Sequence, residues 1–181
     1  MNHLYFLRHG LSEANKNAFV WSGDTDVPLA PEGIEEAILA GKKAKEAGLK
    51  VDLIISSPLS RAHDTAKIFA KEVGYPIDKI VLDNNLIERS FGVFENKKDL
   101  MAHVKYALNE ASIDNYENVE KLGTLQERAQ HFLEYVTNLE PETILVVGHG
   151  GFGRAFRRAV DDEPLHHRGE TIQNADLLKF I

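Results

Sequence analysis

The sequence predicts an α/β fold, a three-layer α/β/α sandwich on a mostly parallel central sheet. Two observations carry that reading. Short, almost wholly apolar runs recur at residues 4–7, 53–55 and 143–147, the composition of strands buried on both faces. Between them lie longer stretches with apolar residues at helical spacing, so strand and helix alternate and the helices fall on both faces of one sheet. The 181 residues fit roughly one domain at about 150 residues each. No repeat, low-complexity tract or Pro/Ser-rich linker divides them, so residues 1–181 are expected to form a single domain.

In chain order, Leu4-Tyr5-Phe6-Leu7 is a strand that ends before Gly10. Residues 21–30, with Gly23, two aspartates and Pro28, read as a loop. Pro31 and Glu32 open a helix that carries Ala37, Ala40 and Ala44 on one face and stops at Gly48. Leu53-Ile54-Ile55 is the second strand, closed by Ser56-Ser57-Pro58. Ala62, Ala66, Phe69, Ala70 and Val73 then mark a helix stopped at Gly74. Ile80-Val81-Leu82 reads as a short strand, and residues 97–122 as polar helix-and-loop cover. Leu125, Ala129, Phe132, Leu133, Val136 and Leu139 form an amphipathic helix. Residues 143–147 are the third strong strand, 151–160 a helix and 176–181 a final strand.

Composition narrows the function classes. With 43% hydrophobic and 27% charged residues the chain is globular rather than disordered. It has no cysteine, which excludes disulfides, thiolate metal sites and cysteine nucleophiles. The 21 Lys and Arg against 28 Asp and Glu give −7, which argues against nucleic acid and anionic membranes as partners. No apolar run is long enough to span a bilayer, and Arg8 and His9 interrupt any leader-like segment. A cytoplasmic protein is expected.

Two strands end alike. Residues 4–7 run into Arg8-His9-Gly10, and residues 144–147 into Gly148-His149-Gly150. In an open α/β sheet ligands bind beyond the carboxyl ends of the strands. A histidine followed by glycine there offers an imidazole and a backbone that can turn its N–H groups to an anion. His3, His63, His103, His131, His166 and His167 lie in polar settings and are expected on the surface or in loops. Arg61, one turn into the helix after the second strand, adds a guanidinium near another strand end. Arg8, Arg61, His9 and His149 would then converge on one crevice, whose natural occupant is a phosphate.

The chain resembles the histidine phosphatase superfamily, the group that includes phosphoglycerate mutases and many small phosphomonoesterases. Arg8-His9-Gly10 matches its defining triplet. In the family's order come Asn15, the loop from Trp21 to Leu29, Ser56-Ser57-Pro58-Leu59-Ser60-Arg61-Ala62, Leu86-Ile87-Glu88-Arg89-Ser90-Phe91-Gly92, Gly148-His149-Gly150-Gly151 and Asn174-Ala175. The match spans nearly the whole chain. Two departures fall over the pocket: residues 118–124 replace a Gly-Glu-Ser segment, and Asn96 stands where glycine commonly follows Glu95.

The resemblance implies a phosphoglycerate mutase-like fold and a metal-independent phosphomonoesterase acting on a small phosphorylated metabolite. His9 is the implied nucleophile, forming a phosphohistidine that water hydrolyses. Glu88 is the implied general acid and base; a protonated carboxyl there requires burial or a nearby dianion. Arg8, Arg61 and His149 supply positive charge, and Asn15, Ser22, Gly23 and Gly150 are expected to bind substrate. No metal and no cofactor are expected, and the substrate is the one expected partner. Three alternatives remain. Phosphoglycerate mutase chemistry is disfavoured because no paired arginines lie between Glu95 and His149. A non-catalytic phosphoester-binding module would not need Glu88. A dinucleotide site at Gly148, Gly150 and Gly153 would need more chain after Gly153 than exists.

Overall fold

The computed structural model describes residues 3–16, 20–164 and 171–181. Five strands form one sheet: β1 (His3–Arg8), β2 (Leu53–Ser56), β3 (Val81–Leu82), β4 (Thr143–Gly148) and β5 (Leu177–Lys179). They lie in the order β3-β2-β4-β1-β5, the first four parallel and β5 antiparallel to β1. The helices are α1 (Glu13–Lys16), α2 (Pro31–Glu46), α3 (Ser60–Val73), α4 (Leu100–Leu108), α5 (Leu122–Thr137) and α6 (Gly150–Asp161). The predicted α/β class and mostly parallel sheet are what the molecule adopts.

Alternation along the central strands divides the core in two. Leu4 and Phe6 of β1 and Ile144 and Val146 of β4 face α5 and α6, meeting Leu125, Phe132, Phe152 and Phe156. Leu7, Ile54, Leu145 and Val147 point the other way, onto Ala40, Ala62, Ala66 and Phe69 of α2 and α3. Period-two side chains on a sheet covered on both faces give this result, and it explains why the strands read as unbroken apolar runs. A third cluster, Trp21, Phe91, Phe94, Ala102, Ile113 and Val119, packs the cover beyond the carboxyl edge of the sheet.

Register decides what reaches that edge. Arg8 pairs with Gly148, and Ser56 with Val147. His9, Ser57 and His149 therefore leave three adjacent parallel strands at nearly one level, an adjacency the sequence alone left open.

Several boundaries differ from the sequence reading. β1 extends from His3 to Arg8, one residue further at each end than the apolar run. β3 keeps only two residues, both exposed at the sheet edge, where a single neighbouring strand gives little to extend pairing. β5 is likewise shorter than 176–181. The α1 turn went unpredicted; Ser12 starts it, its Oγ accepting the Asn15 N–H at 3.2 Å in an N-cap arrangement. Residues 97–122 hold α4 and a tight turn at Glu110–Ile113. His166 and His167 lie outside the described residues.

Candidate active site

His9 is fixed by backbone on every side. Its N–H donates to Gly148 O at 3.0 Å, and its carbonyl accepts from Ala175 N at 3.2 Å and Asn174 Nδ2 at 3.1 Å. Gly10 follows because nothing larger fits: a Cβ there would come 2.2 Å from Gly33 O. His9 is 4% exposed, and its Nδ1 lies 2.6 Å from Gly10 O. A carbonyl only accepts, so Nδ1 carries the hydrogen and Nε2 keeps its lone pair. Burial, then the charges of Arg61 and Arg8, hold the imidazole pKa well below its usual value, against a small opposing pull from Gly10. The ring is neutral at neutral pH.

His149 stands beside it, ring centroids 5.1 Å apart. It is fully buried, and its pKa is also held well below normal, by burial first and then by Arg61 and His9. Its Nε2 lies 2.8 Å from Ser57 Oγ. Oγ also accepts the Leu59 N–H at 3.3 Å, and among the described residues Nε2 is the one acceptor within reach of the hydroxyl proton, so the arrangement that uses that proton leaves Nε2 unprotonated. That assigns the hydrogen of His149 to Nδ1, a buried atom with no hydrogen-bond partner among the described residues.

Arg61 is 1% exposed and held by two carbonyls of the 21–30 loop, Nη1 to Thr25 O at 2.9 Å and Nη2 to Gly23 O at 2.6 Å. Glu95 keeps that loop in shape, accepting from Gly23 N, Thr25 Oγ1 and Phe91 N. Arg8 donates from Nη1 to Ile172 O at 2.6 Å, while its Nε is buried without a hydrogen-bond partner among the described residues. Burial lowers the Arg8 pKa, with Glu88 pulling it back up.

Glu88, 8% exposed, accepts from Gly151 N at 2.7 Å, Phe152 N at 2.8 Å and Arg89 N at 2.9 Å. A carboxylate at the first turn of α6 satisfies amides that the helix cannot. Gly151 permits the approach, since a Cβ there would lie 2.6 Å from Glu88 Oε1. The loop carrying Glu88 is braced by Arg128, whose Nη1 donates to Asn85 O and Ile87 O, both at 2.6 Å.

A cleft of about 220 Å³ opens beside these groups, lined by Arg8, Asn15, Trp21, Ser22, Glu88, Gly150 and Gly151, among others, while His9, Arg61 and His149 are not part of its lining. Of the residues expected to bind substrate, Asn15, Ser22 and Gly150 line it. Asn15 is oriented by Ser12 Oγ, which donates to its Oδ1 at 3.0 Å. Gly23 does not line it: its N–H goes to Glu95 and its carbonyl to Arg61, so it buttresses the cation. The amides after Gly150, expected to face the anion, are taken by Glu88.

His103, expected on the surface, is half-buried: it lines the cleft, its ring 3.9 Å from that of Trp21. The reason is the cover, which folds α4 back over the Trp21 cluster. Sequence reading also missed Ser57, Tyr106 and Arg154. Ser57 sat inside the quoted Ser56–Ala62 segment, one residue past a strand end like the two histidines, and could have been found. Tyr106 and Arg154 carried no comparable sign. Among the described residues no group of three or more His, Asp or Glu side chains is placed to hold a metal ion, and no helix is long and apolar enough to cross a membrane.

Fold and pocket together define an α/β protein that gathers arginines, histidines and a carboxylate at the carboxyl edge of its sheet. The chain belongs to the histidine phosphatase superfamily (branch 1), whose family profile matches residues 4–180. It is 34% identical over 189 aligned positions to a 2,3-bisphosphoglycerate-dependent phosphoglycerate mutase of Mesorhizobium japonicum, covering 96% of this chain and 86% of that one. A candidate phosphoserine phosphatase of Hydrogenobacter thermophilus is 34% identical over 160 residues, 83% of this chain and 74% of the relative. In structure, the chain resembles mycobacterial glucosyl-3-phosphoglycerate phosphatase (TM-score 0.83, 21% identity, 98% and 91% covered), a likeness of fold.

Proposed function

We propose that this protein hydrolyses a small phosphomonoester through a phosphohistidine on His9. The observation that supports the reading best is the fixed tautomer: Nδ1 is engaged by Gly10 O, so a neutral ring offers Nε2 as the nucleophile. Nε2 attacks phosphorus and the P–O ester bond breaks, the leaving oxygen taking a proton from Glu88. Water then attacks the phosphohistidine, gives its proton back to Glu88, and releases inorganic phosphate with His9 regenerated. Arg8, Arg61 and the Nδ1–H of His149 are the donors for the charge on the transferring group.

The test is turnover of an aryl phosphate stopped with alkaline denaturant. A base-stable, acid-labile phosphoenzyme should form in the native protein and be absent from His9→Ala, and Glu88→Gln should slow release by about 10²–10⁴-fold. Near-normal hydrolysis by His9→Ala overturns the proposal. Mutase chemistry is the second reading, favoured by the names of relatives such as that of Mesorhizobium japonicum. Released phosphate measured against isomerised product on a phosphoglycerate decides between them.

A further inference from the structure

Glu88 lies in neither helix nor strand, on a stretch between single turns at Asn84–Leu86 and Gly92–Phe94. Its place therefore depends on contacts from elsewhere in the chain. Before it in sequence the contact is Arg128 of α5, whose Nη1 donates to Asn85 O and Ile87 O, two carbonyls within three residues of the carboxylate. After it the contact is residue 120 of the cover. Glu120 N donates to Ser90 O at 3.0 Å, Arg89 Nε donates to Glu120 O at 2.8 Å, and Phe91 bridges Val119 in antiparallel fashion.

The two supports are one unit. Arg128 Nε donates to Glu120 Oε1 at 3.1 Å and Nη2 to Oε2 at 2.8 Å, a two-bond fork on one carboxylate. The side chains are 18% and 16% exposed, so water screens this pair less than a surface pair. A planar group gripped along one edge has its other edge aimed, so the fork directs Nη1 at the two carbonyls. The same guanidinium lies over Phe152, Cζ 5.4 Å from the ring centroid. Phe152 N is one of the three amides that hold Glu88. One arginine thus locates both the backbone that carries the carboxyl group and the helix turn that receives it. Such precision matters for a proton donor, which works within about 2.6–3.2 Å of the atom it serves. A displacement of about 1 Å can cost about 10²-fold.

We propose that Arg128, its plane fixed by Glu120, is a positioning residue that sets Glu88 within reach of the leaving oxygen. The consequence is a preference among esters. An ordinary alcohol must take the Glu88 proton as its oxygen parts from phosphorus, so the Arg128–Glu120 pair matters there. A 4-nitrophenolate departs without that proton, so the pair matters little. The inference rests on the phosphomonoesterase reading and adds to it what readies Glu88 for alkyl esters.

The experiment measures kcat/KM for 2-hydroxyethyl phosphate and for 4-nitrophenyl phosphate, a quantity that reports the steps up to departure of the alcohol and not hydrolysis of the phosphoenzyme. Glu88→Gln should lower the alkyl-to-aryl ratio by about 10²–10⁴-fold. Arg128→Gln should lower it by about 10–100-fold, and Glu120→Gln by several-fold. Arg128→Lys, which can still donate to Asn85 O and Ile87 O, should recover part of the loss. In a Glu88→Gln background Arg128→Gln should lower the ratio no further, because both changes act through one carboxyl group. Three results overturn the proposal: Arg128→Gln and Glu120→Gln slowing the two esters alike, as a brace for the fold alone would; the effects of Arg128→Gln and Glu88→Gln multiplying; or a native protein that cleaves only the aryl ester. Should Arg128→Gln fail to fold, Glu120→Gln and Arg128→Lys decide alone. If Glu88→Gln lowers the ratio and the other variants do not, Glu88 remains the proton donor and only the positioning role falls. If Glu88→Gln leaves the ratio unchanged, or the native protein cleaves neither ester, the underlying reading falls and takes this proposal with it.

Discussion

His9 and His149 leave neighbouring parallel strands at matching levels, each followed by glycine and each held neutral first by burial and then by the same arginines. They differ in one partner. His9 gives its Nδ1 hydrogen to the carbonyl of its own neighbour, Gly10, whereas His149 meets a serine hydroxyl from β2's end through Nε2. One ring thereby presents a lone pair and the other an N–H. Near-identical local sequences acquire opposite polarity from a single hydrogen bond, which suits the pair to the proposed roles of nucleophile and donor rather than to two copies of either.

The largest effect should come from removing the lone pair. His9→Ala is expected to lower turnover by on the order of 10⁴-fold or more, while His149→Ala, losing one donor to the transferring group, should cost about 10²–10³-fold in kcat. Equal losses, read by steady-state kinetics on one ester, would break the distinction. Ser57→Ala should cost about tenfold, with the imidazole ¹⁵N shifts of His149 moving toward the Nε2–H tautomer; Ser57→Thr should restore both. An unchanged ¹⁵N spectrum would show that Ser57 does not set the tautomer.

The smallest effect concerns stability and pH. Both folded-state histidine pKa values lie below the unfolded value of about 6.5. The unfolded chain therefore binds protons first as pH falls. Stability is complete above about pH 6.5 and declines below it, by up to about 1.4 kcal/mol per pH unit for each histidine. Urea denaturation at pH 7 and pH 5 should show His9→Gln and His149→Gln each flattening that slope. A slope unchanged in both variants would mean that neither ring is held neutral in the fold.

The floor of the site was legible because it depends on strand ends. A buried run followed by His-Gly states both where the chain stops pairing and what it presents there, and the family motifs supplied Glu88 and Arg61. The adjacency of β1 and β4 was not legible, since it depends on register between segments far apart in the chain. The wall opposite was opaque for a related reason. Arg89 ties the cover together through Glu120 O, Glu110 O and Asp114, and Arg154 meets Glu110, all pairs distant in sequence. Ionic pairing of that kind leaves no periodic mark, so residues 97–122 read as anonymous polar cover and His103 as a surface residue. Gly23 read as a ligand-binding glycine because spacing cannot tell a backbone that touches substrate from one that holds Arg61.

The bonds from Asn174 and Ala175 to the carbonyl of residue 9 have a consequence for synthesis. The strand that leads into His9 is translated before its sheet neighbours on either side, β4 and β5. A ribosome-bound nascent chain therefore lacks the proposed catalytic centre until both have emerged, and the proposed phosphoester cleavage should switch on only once those later segments have been threaded home.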